Sequence, residues 1–422
     1  MGAYGQPNRK VAVTGLGIIT SLGQGKDENW AALTAGRSGI HAITRYSTKG
    51  MKTTIGGSVD FIEVEPFSAP ALGHAMARLT VLEALGEAGY VAGAPFGGQL
   101  FLAGPPVEHE WGQRMALAAR VAGGPKSYGD LFNADISDCA GLHADFLYAS
   151  IATRLKEEFR TQGSPITLTT ACASGASAIQ LGVEAIRRGA TTRALCVGTD
   201  GSMHPESMIR FSLLSALSTS NEFPEKAAKP FAKNRDGFVM AEGAAALVLE
   251  DEAVALARGA TILGYISGVG EGADTFHRTR SNPDGAQIVR CMTAAIQDAG
   301  LTPDDIDYVN AHGTGTPEND KMEGLGIERV FGARAAQIPV SSNKSMIGHT
   351  LTAAGAVEAA VSLLTLRHQV LPPTINHEIS DPNISLDVVP NTARPAKVRH
   401  ILSNSFGFGG QNVSLVISSE PR

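Results

Sequence analysis

Cysteine is scarce in this chain. The 422 residues hold four, Cys139, Cys172, Cys196 and Cys291, without the paired spacing of a zinc site or the density of a disulfide-stapled scaffold. Free thiols and a reducing compartment are expected. No segment approaches the ~18 consecutive apolar residues of a membrane span. Arg9-Lys10 leads into Val11-Ala12-Val13-Thr14-Gly15, which reads as a strand running into a glycine turn rather than as a secretory leader. Met1-Gly2 is not followed by the hydroxyl residue a myristoylation signal wants, because Gln6 stands there. A cytoplasmic protein is the expectation. An excess of one charge is also missing. Thirty-five basic and 41 acidic residues give a formal charge of −6, interleaved in sign, which leaves no basic stripe for nucleic acid. There is no phosphate-binding P-loop, and Gly15-Leu16-Gly17 lacks the third glycine of a dinucleotide fingerprint.

What is present is alternation. Strand patterns at Val11–Thr14, Ile166–Thr170, Ala194–Gly198 and Ala244–Leu249 are separated by helical stretches at Ala75–Gly89, Phe146–Arg160 and Ala178–Arg188, so the class is α/β. The pattern restarts after Arg258-Gly259, dividing the chain into 1–259 and 260–422. The second part reads as an apolar Thr261–Ile266, a helix over Gln287–Ala299, strands at Ile306–Asn310 and Ile338–Ser342, a helix over Thr352–Gln369, and closing strands at Ile401–Ser403 and Val413–Ile417. Ala354–Ala360 faintly echoes Ala178–Ala185, which suggests a duplication. The stretch 100–165 departs from alternation and reads as an insertion that caps a site or meets a second subunit.

Chemistry concentrates at the ends of strands. Cys172 lies between Ile166-Thr167-Leu168-Thr169-Thr170 and the small-residue start Ala173-Ser174-Gly175, a strand, tight turn and helix N-terminus. A thiol there faces unpaired N–H groups and the positive end of the helix dipole, which favour the thiolate. His312 sits in the loop Asn310-Ala311-His312-Gly313-Thr314, and Lys344 and His349 in Asn343-Lys344-Ser345-Met346-Ile347-Gly348-His349. Asn404-Ser405-Phe406-Gly407-Phe408-Gly409-Gly410 adds a glycine-rich turn with N–H groups to spare. In an open α/β sheet such segments converge beyond the strands' carboxyl ends. A thiol, two imidazoles without an obvious acid partner, and a donor-rich loop suit acyl transfer through a thioester and the holding of an enolate oxygen.

These segments, in this order and with the opening Val13-Thr14-Gly15-Leu16-Gly17, resemble the β-ketoacyl-acyl-carrier-protein synthases, most of all the type II elongating enzyme. The resemblance implies a thiolase fold, two similar α/β/α/β/α halves forming a five-layered core, and a homodimer. It implies Cys172 as the acyl acceptor, Cys172 and Phe408 N–H groups as the oxyanion hole, and His312 and His349, uncharged, as donors to an enolate formed from malonyl-carrier protein. Lys344 would act electrostatically through Glu323, and Phe406 and Phe408 would pack or gate the acyl pocket. Acyl-carrier protein is the implied partner, with substrates on its phosphopantetheine and no cofactor of the enzyme's own. A monovalent cation near Asn310, Glu323, Ser403 and Asn404 is implied as well.

The chain departs from that pattern at Gly104-Pro105-Pro106-Val107-Glu108-His109-Glu110-Trp111, where relatives carry a glycine-rich loop. Two prolines make a stiff loop and put the acyl-chain preference in question. Gln411 and Ala232 also depart, and Ser215 stands where a basic residue is common, which would move carrier docking to Arg187, Arg188, Lys226 or Lys229. Two other readings remain: a pocket-shaping partner subunit without catalysis, and a thiolase, although the last cysteine, Cys291, lies in a helical pattern rather than a glycine turn.

Overall fold

The computed structural model describes residues 9–107, 109–121, 123–124, 127, 129–130 and 144–422. Among these, ten strands of three or more residues carry the architecture: β1 (Val11–Thr20), β2 (Gln99–Ala103), β3 (Ile166–Leu168), β4 (Arg193–Asp200), β5 (Gly243–Asp251), β6 (Gly264–Ala273), β7 (Tyr308–Asn310), β8 (Pro339–Ser341), β9 (His400–Phe406) and β10 (Gln411–Ser418). The helices that matter for the site are α1 (Ala69–Glu87), α2 (Trp111–Ala118), α3 (Ser150–Phe159), α4 (Ser174–Arg187), α5 (Pro205–Leu213), α6 (Ala286–Asp298), α7 (Pro317–Phe331), α8 (Lys344–Ile347) and α9 (Ala354–His368).

The strand order is β3-β2-β4-β5-β1 in the first half and β8-β7-β9-β10-β6 in the second. Both halves repeat one scheme. The first three strands of each order are parallel, and the remaining two join antiparallel. The halves meet where β1 and β6 share only the pairs Ala12↔Tyr265 and Val13↔Gly264.

Glycines show how the layers are spaced. A Cβ at Gly15 or Gly17 of β1 would overlap the Ala84 or Thr80 carbonyl of α1. On β6, Gly268 and Gly270 stand in the same relation to the Ala295 and Cys291 carbonyls of α6. Two helices therefore ride directly on glycine strands, one outside each sheet. Glycine here continues the strand under a close helix, so β1 runs on to Thr20 and does not turn at Gly15. The same device hides β6, whose glycines at 264, 268, 270 and 272 interrupt the apolar pattern.

Between the sheets lie α4 and α9. Gly175 and Gly355 are reciprocal, since a Cβ on one would overlap the Ala356 amide and on the other the Ala176 amide. This aligns position 175 with 355, so the repeat is real but one helical turn out of the register that the alanine-rich segments suggest. The stacking order is helix, sheet, helix pair, sheet, helix. Both faces of each sheet are covered, which is why β5 and β9 are buried along their length, and β4 and β10 beyond their first residues.

Element boundaries differ from the sequence reading where caps decide. Helix α1 starts at Ala69, not near Ala75, because the Ser68 hydroxyl accepts from Ala71 N and Pro70 occupies the first turn. Of the 100–165 stretch, β2, α2 and α3 are described; Cys139 and Glu108 lie outside the described residues. Cys172, Cys196 and Cys291 are unpaired. Among the described residues no helix is long and apolar enough to cross a membrane.

Candidate active site

The parallel strands deliver the chemical groups to one end of the molecule. Cys172 follows β3, His312 follows β7, Lys344 and His349 follow β8, and Phe408 follows β9. The Cys172 turn is stitched by Ser174, whose hydroxyl accepts from Thr170 N at 2.8 Å and donates to the Ala171 carbonyl at 2.5 Å. Ala171 is held at φ +50°, a left-handed conformation uncommon outside glycine, which lifts the next residue out of the turn. Cys172, His312, His349, Phe406 and Phe408 all line one pocket of about 630 Å³, open to solvent.

The Cys172 sulfur and one ring nitrogen each of His312 and His349 lie within 4.8 Å of one another. The two imidazoles meet edge to face, centroids 5.3 Å apart. Phe238 braces His349 at 5.2 Å and Phe406 braces His312 at 6.0 Å. Burial holds His312 well below the ordinary histidine value, helped by the Lys344 charge and by His349. Burial and Lys344 do the same for His349. Both rings are therefore neutral at pH 7 and offer N–H donors. Three such groups also resemble a metal-ligand set, but ligating imidazoles are usually held by their second nitrogen, and neither His349 nitrogen has a partner among the described residues.

The thiol does not follow the expectation of a helix-stabilised thiolate. Burial pushes Cys172 up to about 11, against the pull of the Phe408 N–H and the Lys344 ammonium. The resting group is a neutral thiol, since desolvation outweighs two favourable partners. The Phe408 N–H bonded to the sulfur is one of the two donors expected for an oxyanion. Its loop touches the Cys172 turn at Gly407, where a Cβ would stand 2.9 Å from the Thr170 carbonyl and 3.3 Å from Cys172 N.

Lys344 is wired differently from the sequence reading. Its ammonium pairs with Glu358 of α9, not with Glu323, and it donates to the His312 carbonyl at 2.6 Å with His312 Nδ1 3.4 Å away. Burial raises Glu358 to about 7 and the Lys344 charge opposes the rise. Glu358, the buried partner of Lys344, was passed over by sequence reasoning. Its signal was a lone acid inside the alanine-rich α9, where an unpaired carboxylate would be costly.

Glu323 has another task. Its carboxylate accepts from His312 N at 2.8 Å, Gly313 N at 2.7 Å and Asn404 Nδ2 at 3.1 Å, fixing the loop that presents His312. Asn310, Ser403 and Asn404 are close to it, Asn310 pairing with Ser403 across β7 and β9. Asn319 Nδ2 bridges Glu323 to the buried Asp320 carboxylate, which is close enough to raise Glu323 further. Arg187 and Arg188 lie at the far end of α4, about 20 Å from its Cys172 end at ~1.5 Å per residue, and Arg187 is bound to Asp298 and the Ser267 carbonyl. They are remote from the pocket entrance. Lys226 and Lys229 instead border a surface groove with Phe223. Arg280, which sequence reasoning missed, lines the pocket itself. Cys291 is buried in α6 against the Gly270 carbonyl, away from the site, which removes the thiolase reading's second cysteine.

The comparisons with known proteins agree with this geometry. Residues 8–78 and 112–255 match the "Beta-ketoacyl synthase, N-terminal domain" model, and 263–378 match the "Beta-ketoacyl synthase, C-terminal domain" model. The chain belongs to the beta-ketoacyl synthase family of condensing enzymes and has the thiolase fold. The match omits 79–111, which contains the proline-bearing loop. Among curated relatives, the 3-oxoacyl-[acyl-carrier-protein] synthase 2 of Coxiella burnetii is 36% identical, covering 97% of this chain and 98% of its own. A putative polyketide beta-ketoacyl synthase 1 of Streptomyces cyaneus is 35% identical over the same shares. Among solved structures, a type II polyketide ketosynthase in complex with its acyl-carrier protein superposes with a TM-score of 0.86 at 30% identity, covering 98% of this chain and 100% of its own. The ishigamide ketosynthase/chain length factor gives 0.85 at 33% identity, over the same shares.

Proposed function

We propose that this chain catalyses a decarboxylative Claisen condensation, joining an acyl group held on Cys172 to malonyl-acyl-carrier protein and releasing a 3-oxoacyl-carrier protein two carbons longer, as in fatty acid elongation. Cys172 sulfur forms a thioester with the incoming acyl carbonyl as the carrier thiol leaves with the Cys172 proton. Malonyl-carrier protein then loses carbon dioxide, and the electron pair becomes an enolate whose oxygen accepts from His312 and His349. The enolate carbon attacks the Cys172 thioester, a carbon–carbon bond forms, the carbon–sulfur bond breaks, and the thiolate takes up a proton.

One observation carries this reading: a thiol and two neutral imidazole donors converge within 4.8 Å at one pocket, with the Phe408 N–H on the sulfur. Neutral donors stabilise a developing enolate without competing for its proton. The enzyme works without a cofactor of its own, because the substrates arrive as activated thioesters. It acts as a homodimer, pairing through the edge of β3 that has no strand partner among the described residues and where Ile166 is exposed. The second reading, a pocket-shaping partner subunit, is favoured by the ketosynthase/chain length factor among the structural relatives. Malonyl-carrier protein labelled at its carboxylate separates the two. Carbon dioxide release by the purified chain, lost in His349→Ala, supports condensation; no release from folded protein favours the partner subunit.

A further inference from the structure

The two halves differ at one buried position, where the second lacks an acid that the first possesses. Each half has a bulge at the same place. Strand β1 carries one extra residue, Thr14, against β5, and β6 carries one extra residue, Ser267, against β10. The strand registers on either side align Ala12, Thr14, Arg193 and Glu250 with Tyr265, Ser267, His400 and Ser418. In the first half the Thr14 hydroxyl donates to the buried Glu250 carboxylate at 2.7 Å. That carboxylate also accepts from Arg258 at 2.8 Å and has Arg193 at 3.8 Å. In the second half Ser418 stands where Glu250 would, and its hydroxyl is engaged with His400 Nδ1 at 2.9 Å. Ser267 is 6% exposed, and its hydroxyl has no partner among the described residues.

Cations gather at this place although the acid is missing. Ser267 lines a cavity of about 220 Å³ with Arg9, Lys10, Arg187 and Arg422, beside the short seam where β1 meets β6. Arg9, Arg187 and Arg422 each hold one acid, Asp251, Asp298 and Glu420 respectively, and the Tyr265 hydroxyl is taken by Glu252. Those pairs do not exhaust the donors. Arg9 Nε is also buried without a partner among the described residues. Both orphans in this wall are therefore donors, one a hydroxyl and one a guanidinium N–H, and leaving such groups unmet is costly. An oxyanion answers both, since its oxygens accept only and match the guanidinium fork.

We infer that this cavity binds a small oxyanion, a phosphate or a carboxylate, which takes in the second half the place that the Glu250 carboxylate fills in the first. The ligand would tie Arg9 and Arg187 of one half to Ser267 and Arg422 of the other, far from the catalytic pocket. The test is calorimetric titration of the full-length protein with inorganic phosphate and, separately, with acetate, at an ionic strength held constant with chloride. Saturable binding of at least one is expected, and the arm that binds names the oxyanion. Ser267→Ala should weaken that binding about tenfold, the loss of one hydrogen bond to a charged acceptor. Because its hydroxyl has no partner in the fold, the same variant should keep or raise the melting temperature in chloride, whereas a purely structural role would lower it. Ser418→Glu, which restores the carboxylate of the first half, should abolish the binding. No saturable binding of either anion overturns the inference. So does unchanged affinity in Ser267→Ala, a lower melting temperature of that variant in chloride, or a folded Ser418→Glu that still binds.

Discussion

At the residue scale the site depends on charges kept where neutral groups would be easier to bury. Lys344 and Glu358 form a buried pair beneath His312, and removing one partner leaves the other as an uncompensated charge, at a cost of about 3–5 kcal/mol. Glu358→Ala and Lys344→Met should each lower the denaturant midpoint. The double variant should lose clearly less than the sum, because it leaves no orphan charge. Additive losses would show that the pair is not coupled. The histidines make a second prediction. Unfolded, each titrates near 6.5; folded, each takes a proton only well below that. Their contribution to stability is complete above about 6.5 and declines as pH falls toward the depressed native values, by about 1.4 kcal/mol per pH unit for each ring. Buried carboxylates with raised values, such as Asp200 and Asp320, act in the opposite direction. The comparison must therefore be with His349→Phe, whose loss of stability between pH 7 and pH 5 should be smaller than that of the natural chain. Equal losses would contradict the depressed value. That Cys172, His312, His349 and Phe408 meet at one pocket was legible because each lies in a loop just after a strand. The thiol's charge state and the Lys344 partner were not, because burial depth and the neighbour across α9 are properties of packing rather than of local sequence.

At the element scale the two halves are built by the same contact, a glycine strand under a helix. Gly17→Val and Gly270→Val each place a side chain inside a helix carbonyl, so both should unfold the protein or lower its melting temperature sharply. Gly93→Ala, with nothing within 4 Å of its Cβ, should have a much smaller effect, limited to its left-handed backbone. Comparable losses at all three sites would remove the packing explanation. The strands that alternate with helices were readable from their apolar runs. Strand β6 was shifted and β1 cut short, because glycine is scored as a turn former wherever the covering helix is unseen. The duplication was visible as an alanine-rich echo, but its register needed the reciprocal contact of Gly175 and Gly355 across the centre.

At the scale of the whole molecule, five layers bring loops that are up to 236 residues apart in sequence, Cys172 to Phe408, onto one pocket. The edge of β3 that has no strand partner among the described residues should pair with a second copy, so light scattering should give twice the 43.9 kDa chain mass, and Ile166→Asp should shift it toward monomer. A monomer in the natural chain would contradict the proposed homodimer. The central claim, that Cys172 receives and passes on acyl groups, is tested most directly by intact mass after incubation with acyl-carrier proteins of increasing chain length, beside Cys172→Ala. An acyl adduct on the natural chain alone, replaced by a carrier-bound product two carbons longer once malonyl-carrier protein is added, is the predicted result. No adduct at any chain length, or an adduct that persists in Cys172→Ala, would contradict it.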